Sequence, residues 1–397
     1  MACDNERIER IKRALKEAGL DAVVCALPIN VLLLSGYWPV VGTSLAIAAR
    51  DGHITVLAPK DEEELARKGC ADELHTFQPG SLERITEGIE STRELLANAI
   101  RALGIIHGRI GYEDGAISEP ASYAAMNLYG RSIVKSELFS SATLVPADEM
   151  LAYLRSVKTR YEINRIRISC RIAEMAFLEG ANQIRAGLKE TDVAARFRTP
   201  LSTFGTGYEG VGRADGFTFC MSGANSADAY GAYARSRSKE VGLNEFALVH
   251  CNSYADGFWT DITRTYCVCE LDERKRRMYD AVFEARRAAI ESIHPGIKAA
   301  EVDRAAREVL KAHGFDREFK HPTGHGVGFA VISHNALPRI HPKSDDILEI
   351  GMVFNIEPAI YIDGYGGLRH CDMVAVGEIG AEVLTPFQLS IEDLIVG

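Results

Sequence analysis

The chain has 397 residues, and its 45 lysines and arginines against 55 aspartates and glutamates give a formal net charge of −10. This acidic balance argues against a nucleic-acid-binding protein, because phosphate backbones are bound by clustered positive charge. Hydrophobic residues make up 47% and charged residues 25% of the chain, which excludes disordered, collagen-like and small disulfide-bonded classes. At about 100–200 residues per domain, the length predicts two or three domains.

The sequence shows no pattern typical of secretion or of membrane insertion. Met1–Arg7 is charged and lacks an apolar core, so we predict no signal peptide. The longest apolar stretch, Ala22–Leu34, contains Pro28 and Asn30 and is too short to cross a bilayer. The nine cysteines form no Cys-x-x-Cys pair, which excludes a thioredoxin motif or a zinc ribbon. We therefore expect a soluble, reduced, cytoplasmic protein with no membrane partner.

The first third of the chain predicts helices that alternate with short strands. Between Asp4 and Ala18, apolar residues recur at helical spacing, and Gly19 follows as a helix stop. Asp51 and Gly52 form an Asp-Gly turn between two apolar runs, which predicts a β-hairpin. In chain order, the predicted elements are helix Asp4–Ala18, strands Ala22–Leu27, Leu45–Ala49 and His53–Ala58, helix Thr92–Leu103, strand Arg109–Tyr112 and helix Ser118–Leu128.

The rest of the chain predicts helix pairs that alternate with groups of strands, as in a weak internal repeat. Glu149–Gly180 is long enough for two helices, which we expect to meet near Thr159. The next helix, Glu190–Arg198, is expected to break at Pro200, because proline removes a helical hydrogen bond. The further predicted elements are strands Phe217–Met221, Phe246–His250 and Thr263–Cys269, helices Asp272–Ile293 and Ala299–His313, and strands Val353–Ile356, Ala359–Ile362, Asp372–Val376 and Glu382–Leu384.

One glycine motif resembles a dinucleotide-binding signature. Gly205, Gly207 and Gly210 match Gly-x-Gly-x-x-Gly, but a dinucleotide site needs a strand before this motif and a helix after it. Neither pattern flanks it. We therefore interpret Phe204–Gly216 as a loop and predict no dinucleotide cofactor.

Four segments after residue 220 carry candidate chemistry. An Asp at a turn and polar residues alternating along a strand occur in Asp256–Thr265, and glycines frame a histidine in Pro322–Gly328. Asn355–Pro358 ends a strand with a carboxylate, and Gly366–Asp372 follows a predicted hairpin. Each segment also has an ordinary structural interpretation. The four segments together, in this order, indicate a functional site much more specifically than any one of them alone.

This set of segments resembles the creatinase/aminopeptidase P/prolidase superfamily, the pita-bread metallopeptidases. The resemblance covers the whole chain. It implies an α/β (α+β) protein with a creatinase-type N-terminal α/β domain at 1–150 and a C-terminal pita-bread catalytic domain at 151–397. It also implies a homodimer that acts on a small peptide or amide substrate.

The resemblance further implies a metal site, because the family holds two divalent ions with Asp, Asp, His, Glu and Glu. Asp261, His325 and Glu357 match the second Asp, the His and the first Glu. The two other positions depart from the pattern, since His250 stands for the first Asp and Cys371 for the last Glu. We predict a remodelled site that suits Zn²⁺ better than Mn²⁺, because imidazole and thiolate are softer ligands than carboxylate. One ion, two ions and a site that has lost metal all remain open.

The catalytic residues implied by the resemblance also depart in part from the family's pattern. The family's histidine after Ser-Gly-x-x-Ser-Ala falls on Tyr230, while His321 is retained and His334 stands near the position of another histidine. Glu357 is the candidate general base, Arg369 would orient a carboxylate, and His321 or His334 would stabilise an oxyanion.

Three functions remain open from the sequence. The first is a metal-dependent hydrolase of small Xaa-Pro peptides, similar to prolidase or aminopeptidase P. The second is a metal-independent C–N hydrolase of a small non-peptide substrate, by analogy with creatinase. The third is a non-catalytic, substrate-binding relative. One fold hosts several chemistries, so the site has to decide.

Overall fold

A computed structural model describes residues 3–40, 43–80, 82–83, 88–114, 137–231, 235–330 and 336–397. Its internal contacts divide the chain into two compact units, Met1–Arg155 and Ser156–Gly397. This division lies a few residues after the predicted 150/151 boundary. The predicted helix Ser118–Leu128 and the candidate residue His334 lie outside the described residues.

The first unit is built on a six-stranded mixed sheet with the strand order β4-β3-β2-β1-β5-β6. The pairs β1–β2 and β2–β3 are antiparallel, and the other neighbours are parallel. The strands are β1 Ala22–Cys25, β2 Leu45–Ala49, β3 Ile54–Pro59, β4 Glu73–Phe77, β5 Arg109–Tyr112 and β6 Thr143–Pro146, and the helices are α1 Asn5–Glu17, α2 Pro28–Ser35, α3 Glu63–Ala66, α4 Gly88–Ala102 and α5 Asp148–Ser156.

Apolar patterning and turn chemistry explain this sheet. Gly52 has a φ of 100° in the turn between β2 and β3, where the Asp-Gly pair predicts a hairpin. Leu96 and Ile100 of α4 are fully buried in a core that they share with sheet residues such as Ile47 and Ile110. The predicted alternation of helices and strands in this part of the chain is therefore confirmed for the described residues.

The second unit begins with two long helices and an antiparallel sheet. Thr159 lies between α5 and the helix Arg160–Ala181. It caps the latter through a capping box with Glu162, which confirms the predicted junction. The sheet has the strand order β15-β9-β8-β7. Its elements and the preceding helices are α6 Arg160–Ala181, α7 Glu190–Gly205, β7 Ala214–Ser222, β8 Phe246–Ala255, β9 Phe258–Val268 and β15 Ile395–Val396.

The predicted break at Pro200 is wrong. Helix α7 continues through this buried proline to Gly205, so the predicted loop Phe204–Gly216 begins only after that residue. Hydroxyls close to the proline donate to helix carbonyls, from Thr199 to Ala195 and from Thr203 to Thr199. Packing of the apolar face of α7, on which Phe197, Pro200 and Leu201 are buried, outweighs the local cost of proline.

The remainder of the second unit repeats the order of two helices followed by strands. The strands form a three-stranded sheet, β10-β13-β14, and a hairpin, β11-β12, both antiparallel. Short 3₁₀ turns cover Lys60–Glu62 and Glu137–Phe139 in the first unit and Tyr208–Gly210, Gly223–Asp228 and Glu392–Leu394 in the second. The remaining elements are α8 Glu273–Ser292, α9 Ala299–Ala312, β10 Val353–Ile356, β11 Ala359–Ile362, β12 Gly366–Arg369, β13 Asp372–Val376 and β14 Ala381–Val383. None of the helices in the described ranges combines the length and the apolar character that a membrane span needs.

Candidate functional site

A two-residue turn fixes the part of the site that lies on β8 and β9. Asp256 and Gly257 have φ values of 49° and 88°, as a type I′ hairpin turn requires. The resulting antiparallel register places Asn252 opposite Asp261, and His250 opposite Thr263. Side chains two residues apart share a face of a strand, so this face carries a row of polar groups.

Two further strands bring acidic side chains to the same place. Cys371 lies just before β13 and pairs with Thr263 of β9. Its backbone N–H donates to the Thr263 carbonyl oxygen at 3.0 Å. Glu357 directly follows β10, and the register of β10 with β13 continues to place it opposite Cys371. The Cys371 Sγ lies 3.2 Å from the Asp261 carbonyl oxygen and 3.7 Å from Asp261 Oδ1. Three chain segments therefore meet at one buried point.

Asp261, Glu357 and Cys371 form what we call the acid cluster. Each offers one ligand atom, and the three atoms lie within 4.8 Å of one another. All three residues are buried, with 3%, 5% and 0% of their surface exposed. Two ligands of one zinc ion are at most about 4.6 Å apart, twice the zinc–sulfur bond of about 2.3 Å. The donor atoms of the acid cluster lie within 4.8 Å of one another, slightly beyond that limit, so they could hold one ion after a small inward movement of the side chains.

His325 adjoins the acid cluster, with its Nε2 3.6 Å from Asp261 Oδ2. The glycines on both sides of this histidine allow its backbone to pass close to other segments of the chain. A Cβ at Gly324 would lie 1.9 Å from the Asn355 carbonyl oxygen, and one at Gly326 would lie 2.0 Å from the Leu337 carbonyl oxygen. The two glycines therefore let this segment pack directly against neighbouring backbone carbonyl groups. The Asn355 side chain then holds His325 by accepting its backbone N–H at 2.7 Å.

His250 lies beside the acid cluster but outside the group of three donors. Its Nδ1 contacts Thr263 Oγ1 at 2.9 Å, and its Nε2 contacts Asn252 Oδ1 at 3.0 Å. Its distance to Asp261 Oδ1 is longer, 3.7 Å. Burial lowers the pKa of His250 to about 4, against the opposing effect of Asp261, and Arg369 lowers it further. The imidazole is therefore neutral at pH 7, with both nitrogens engaged by protein groups.

Arg369 supplies the fixed positive charge of the site. Its Nη1 lies 3.6 Å from Glu357 Oε2, and its Nε donates to Thr263 Oγ1 at 3.0 Å. Burial raises the pKa of Glu357 to about 8, and Asp261 raises it while Arg369 lowers it. A carboxyl with this pKa is mostly protonated at neutral pH, which sets it apart from an ordinary surface glutamate.

The charge balance of the acid cluster fits a divalent cation. Burial raises the pKa of the Cys371 thiol well above its ordinary value, and Asp261 and Glu357 raise it further. Burial alone would also raise the pKa of Asp261, but His250, His325 and Arg369 outweigh it and lower that pKa. In the protein alone, one acid is ionised while two retain their protons. A cation that displaced those protons would gain thiolate and carboxylate ligands at once, which is the donor set of a soft divalent ion.

The other predicted catalytic residues lie at increasing distance from the acid cluster. His321 Nε2 lies 3.0 Å from Tyr361 Oη, which in turn lies 3.5 Å from Arg369 Nη1. Tyr230 is 45% exposed, and its ring centroid lies 5.7 Å from that of Tyr361. His321 is thus connected to the cluster through Tyr361, whereas Tyr230 lies at the surface.

Sequence reasoning missed four side chains of the site: Asn252, Thr263, Asn355 and Tyr361. Two signals were available. The Asp-Gly turn at 256–257 fixes the strand register and so predicts that Asn252 faces Asp261. The two-residue period of a strand also places Asn355 on the same face as Glu357. No local pattern marks Tyr361, whose contact with Arg369 depends on the pairing of β11 with β12.

Comparison with known proteins finds matches in both units of the chain. The sequence model of metallopeptidase family M24 matches residues 164–378, and that of the creatinase/prolidase N-terminal domain matches residues 7–157. An Xaa-Pro dipeptidase of Pyrococcus furiosus is 30% identical over 380 residues, which cover 96% of this chain and 97% of the relative. An Xaa-Pro dipeptidase of Pyrococcus horikoshii is 28% identical over 381 residues, with 96% and 97% coverage.

Solved structures show the same architecture over nearly the full length. The prolidase from Pyrococcus horikoshii OT3 superposes with a TM-score of 0.75 at 26% identity, covering 96% of this chain and 98% of that one. The prolidase from Pyrococcus furiosus gives a TM-score of 0.74 at 28% identity, with 95% and 99% coverage. The chain is therefore a peptide-bond hydrolase of the creatinase/prolidase pita-bread superfamily and belongs to metallopeptidase family M24.

Proposed function

We propose that the chain hydrolyses Xaa-Pro bonds in small peptides through a remodelled metal site. Its relatives over the full length are named Xaa-Pro dipeptidases. The observation that carries the proposal is the acid cluster, in which Asp261, Glu357 and Cys371 bring three buried donor atoms within 4.8 Å. Membership of family M24 implies a divalent metal ion. A homodimer, implied by the sequence resemblance, is part of the same proposal and is measured by light scattering.

The proposed ion is a single Zn²⁺ rather than a pair of Mn²⁺ ions. Asp261, Glu357 and Cys371 would hold it together with His325, whose Nε2 is 3.6 Å from Asp261. A thiolate and an imidazole favour zinc over the hard ions that prefer an all-oxygen site. When bound, such an ion polarises a carbonyl group and lowers the pKa of a bound water.

The protein's own side chains would handle the protons and the orientation of the substrate. Glu357 is proposed as a ligand of the ion or, where it is not bound to the ion, as the general base, since its carboxylate lies within the acid cluster. Arg369 lies 3.6 Å from Glu357 and holds its carboxylate in one orientation. His321 is the proposed oxyanion donor on the side of Tyr361, 3.0 Å away. His334 has the same proposed role, and Tyr230 is proposed as a hydrogen-bond donor to the substrate.

Metal analysis combined with a substrate panel tests this function. The purified protein is analysed for metals and then assayed on Xaa-Pro dipeptides, with and without added Zn²⁺ or Mn²⁺. We expect one zinc ion per chain and turnover of at least one dipeptide. Asp261→Asn serves as the matched control that keeps the shape but removes the charge. Substoichiometric metal under every loading condition would refute the remodelled site.

A second candidate is a metal-independent C–N hydrolase of a small non-peptide substrate. One observation favours it: at pH 7 the buried Glu357 carboxyl is mostly protonated, so it could donate a proton without an ion. Activity that persists in chelator-treated protein on an amide or guanidino compound, with no dipeptide turnover, selects this candidate. Bound metal without any turnover selects a binding protein.

A further inference from the structure

Two cysteine side chains of the first unit contact each other, although they are far apart in the sequence. Cys3 lies just before α1, and Cys70 lies in the loop between α3 and β4. A hydrogen bond joins the two thiols, and the backbone N–H of Asp4 donates to the Cys70 sulfur. Both cysteines are free; Cys3 is exposed and Cys70 is half-buried. The proposed function uses neither of them.

Backbone hydrogen bonds hold both sides of this contact in place. The Cys3 carbonyl oxygen accepts the N–H of Asn5 at 3.1 Å, which ties the cysteine to the first residue of α1. The Cys70 N–H donates to the carbonyl oxygen of Ser35, the last residue of α2, at 2.6 Å. A Cβ at Gly69 would lie 2.6 Å from the same oxygen, so this loop passes directly against the end of α2. Two anchored segments therefore bring the sulfur atoms together.

Two thiols in contact are the geometry from which a disulfide forms, with its sulfur atoms about 2.05 Å apart. Cys3 belongs to no helix or strand, so its side chain can rotate to close the remaining gap. We propose that Cys3 and Cys70 form a reversible disulfide, which fixes the segment before α1 to the loop before β4.

The oxidant for this step is a low-molecular-weight disulfide such as oxidised glutathione. The Cys3 thiolate attacks one sulfur of that molecule, so a mixed disulfide forms and one small thiol leaves. The Cys70 thiolate then attacks the Cys3 sulfur, and the second small thiol leaves. The two cysteines lose two protons and two electrons in total, and the small disulfide is reduced to two thiols. An excess of a small dithiol reverses both exchanges.

Exposure determines which cysteines react and in which order. Burial, together with the hydrogen bond to Cys3, raises the pKa of the Cys70 thiol to about 12, so Cys70 carries little thiolate at neutral pH. Cys3 is exposed and meets the small disulfide first. The second exchange is then the slow one, and the bridge should form faster as the pH rises. Cys170 and Cys220 are fully buried, and burial raises the pKa of both thiols, so the oxidant does not reach them.

The bridge would restrict the unfolded chain more than the folded one. It closes residues 3–70 into a loop that contains α1, α2, α3 and the strands β1, β2 and β3. A disulfide across such a long loop stabilises a protein mainly by limiting the conformations of its unfolded state. The oxidised protein should therefore unfold at a temperature about 5 °C or more above that of the reduced protein.

Peptide mapping tests whether the bridge forms. The reduced full chain is incubated with oxidised glutathione at pH 8, its remaining thiols are alkylated, and it is digested without a reductant for mass spectrometry. We expect a linked pair of peptides that contain Cys3 and Cys70, and dithiothreitol should separate them. Cys3→Ser and Cys70→Ser should each abolish the link. Cys269→Ser, which alters another partly exposed cysteine, is the control expected to keep it.

Three results would overturn the proposal. A glutathione adduct that persists on Cys3 without a bridge would show that Cys70 cannot reach it. A dimer on a non-reducing gel, linked through Cys3 of two chains, would replace the internal bridge by an external one. A bridged protein that unfolds at the same temperature as the reduced protein would remove the stabilising role, for which oxidised Cys3→Ser is the matched control. None of these measurements needs a substrate, so they decide the bridge whether or not the protein hydrolyses dipeptides.

Discussion

Cys371 and Asp372 are adjacent in the chain and both fully buried, yet they belong to two clusters with opposite charge balance. Asp372 accepts from Arg264 Nη2 at 2.7 Å and also pairs with Arg286. These arginines and His370 outweigh the effect of burial and hold the pKa of Asp372 well below its usual range. On the other side, the Cys371 thiol shares the acid cluster with two carboxylates, and the effect of Arg369 on its pKa does not outweigh burial.

The difference separates a structural ion cluster from a site that has room for a ligand. In the arginine cluster of Arg264, Asp372 and Arg286, the protein itself balances the buried charge. In the acid cluster the charge is left open, so protons occupy Glu357 and Cys371 until a cation replaces them. A buried group that is fully paired is informative about folding, and one that is under-compensated is informative about function.

The largest effect is expected in the arginine cluster, and it concerns the free energy of unfolding. Arg264→Met leaves Asp372 with one arginine fewer and removes the donor that holds the Cys371 carbonyl oxygen at 2.7 Å. Breaking a buried ion pair on one side costs about 3 kcal/mol or more, since a charge stays behind without compensation. Urea unfolding should show this loss.

The matched control is Arg286→Met, because Arg286 is 13% exposed and water can partly replace it. It should cost clearly less than Arg264→Met. Equal stability of the Arg264→Met variant and the wild type would mean that the arginine cluster does not carry the charge balance that we assign to it.

The next largest effect is expected in the acid cluster, and it concerns the affinity for zinc. Cys371→Ser removes the thiolate and should weaken zinc binding at least about 10-fold, since even loss of an outer-shell partner costs 10- to 100-fold. Elemental analysis after dialysis against limiting Zn²⁺ measures the occupancy. Cys170→Ser, which alters a buried cysteine of α6, is the control. Unchanged occupancy in Cys371→Ser would show that the thiol is not a ligand.

A pH effect should distinguish the two clusters in metal-free protein. The folded pKa of Glu357 is about 8, and in the unfolded chain it returns to about 4.3. Between these values the folded state holds a proton that the unfolded state has released, so stability falls as the pH rises through this window. Glu357→Gln should remove that loss, which is at most about 1.4 kcal/mol per pH unit.

Urea unfolding of chelator-treated protein at pH 5, 6.5 and 8 measures the difference. The advantage of Glu357→Gln should be absent near pH 4.5, grow towards pH 8, and vanish when saturating Zn²⁺ is added. Glu308→Gln, at an exposed position, should show no such trend. An advantage that does not vary with pH would contradict the assignment of the shifted pKa to Glu357.

The smallest effect is expected at the rim of the site. Tyr230 is half exposed, and its ring rather than its hydroxyl makes the contacts with Tyr361 and with Lys320, whose Nζ lies 4.8 Å from the ring centroid. Tyr230→Phe should therefore lower kcat/KM by less than about threefold, because the substrate replaces a hydrogen bond that water makes to a half-exposed hydroxyl. Steady-state assays on the best dipeptide measure it, and a loss above tenfold would mean that the hydroxyl does more than donate this one hydrogen bond.

Elements with a strong local signal could be predicted from the sequence. The strand Arg109–Tyr112 agrees residue for residue, and Thr159 marks a helix junction in both cases. The helix through Pro200 could not be predicted, because tertiary packing of its buried face outweighs the local preference of proline. Local rules fail where a longer-range contact supplies the missing energy.

Part of the candidate site could also be predicted from the sequence. The positions of Asp261, Glu357 and Cys371 follow from motif spacing, and the structure brings these residues together. The engagement of both nitrogens of His250 could not be predicted from its position alone, since its partners Thr263 and Asn252 come from strand pairing. A residue type that can bind metal says little until its hydrogen-bond partners are known.

The alternation of side chains along a strand has a consequence for how this site can change over evolution. Residues 371 and 372 face opposite sides of the same strand, so one substitution at residue 371 alters the ligand chemistry and leaves the arginine cluster of Asp372 intact. A change from carboxylate to thiol at residue 371 leaves the buried ion pairs of Asp372 in place. The same scaffold can thus explore new metals and new substrates one neighbouring residue at a time.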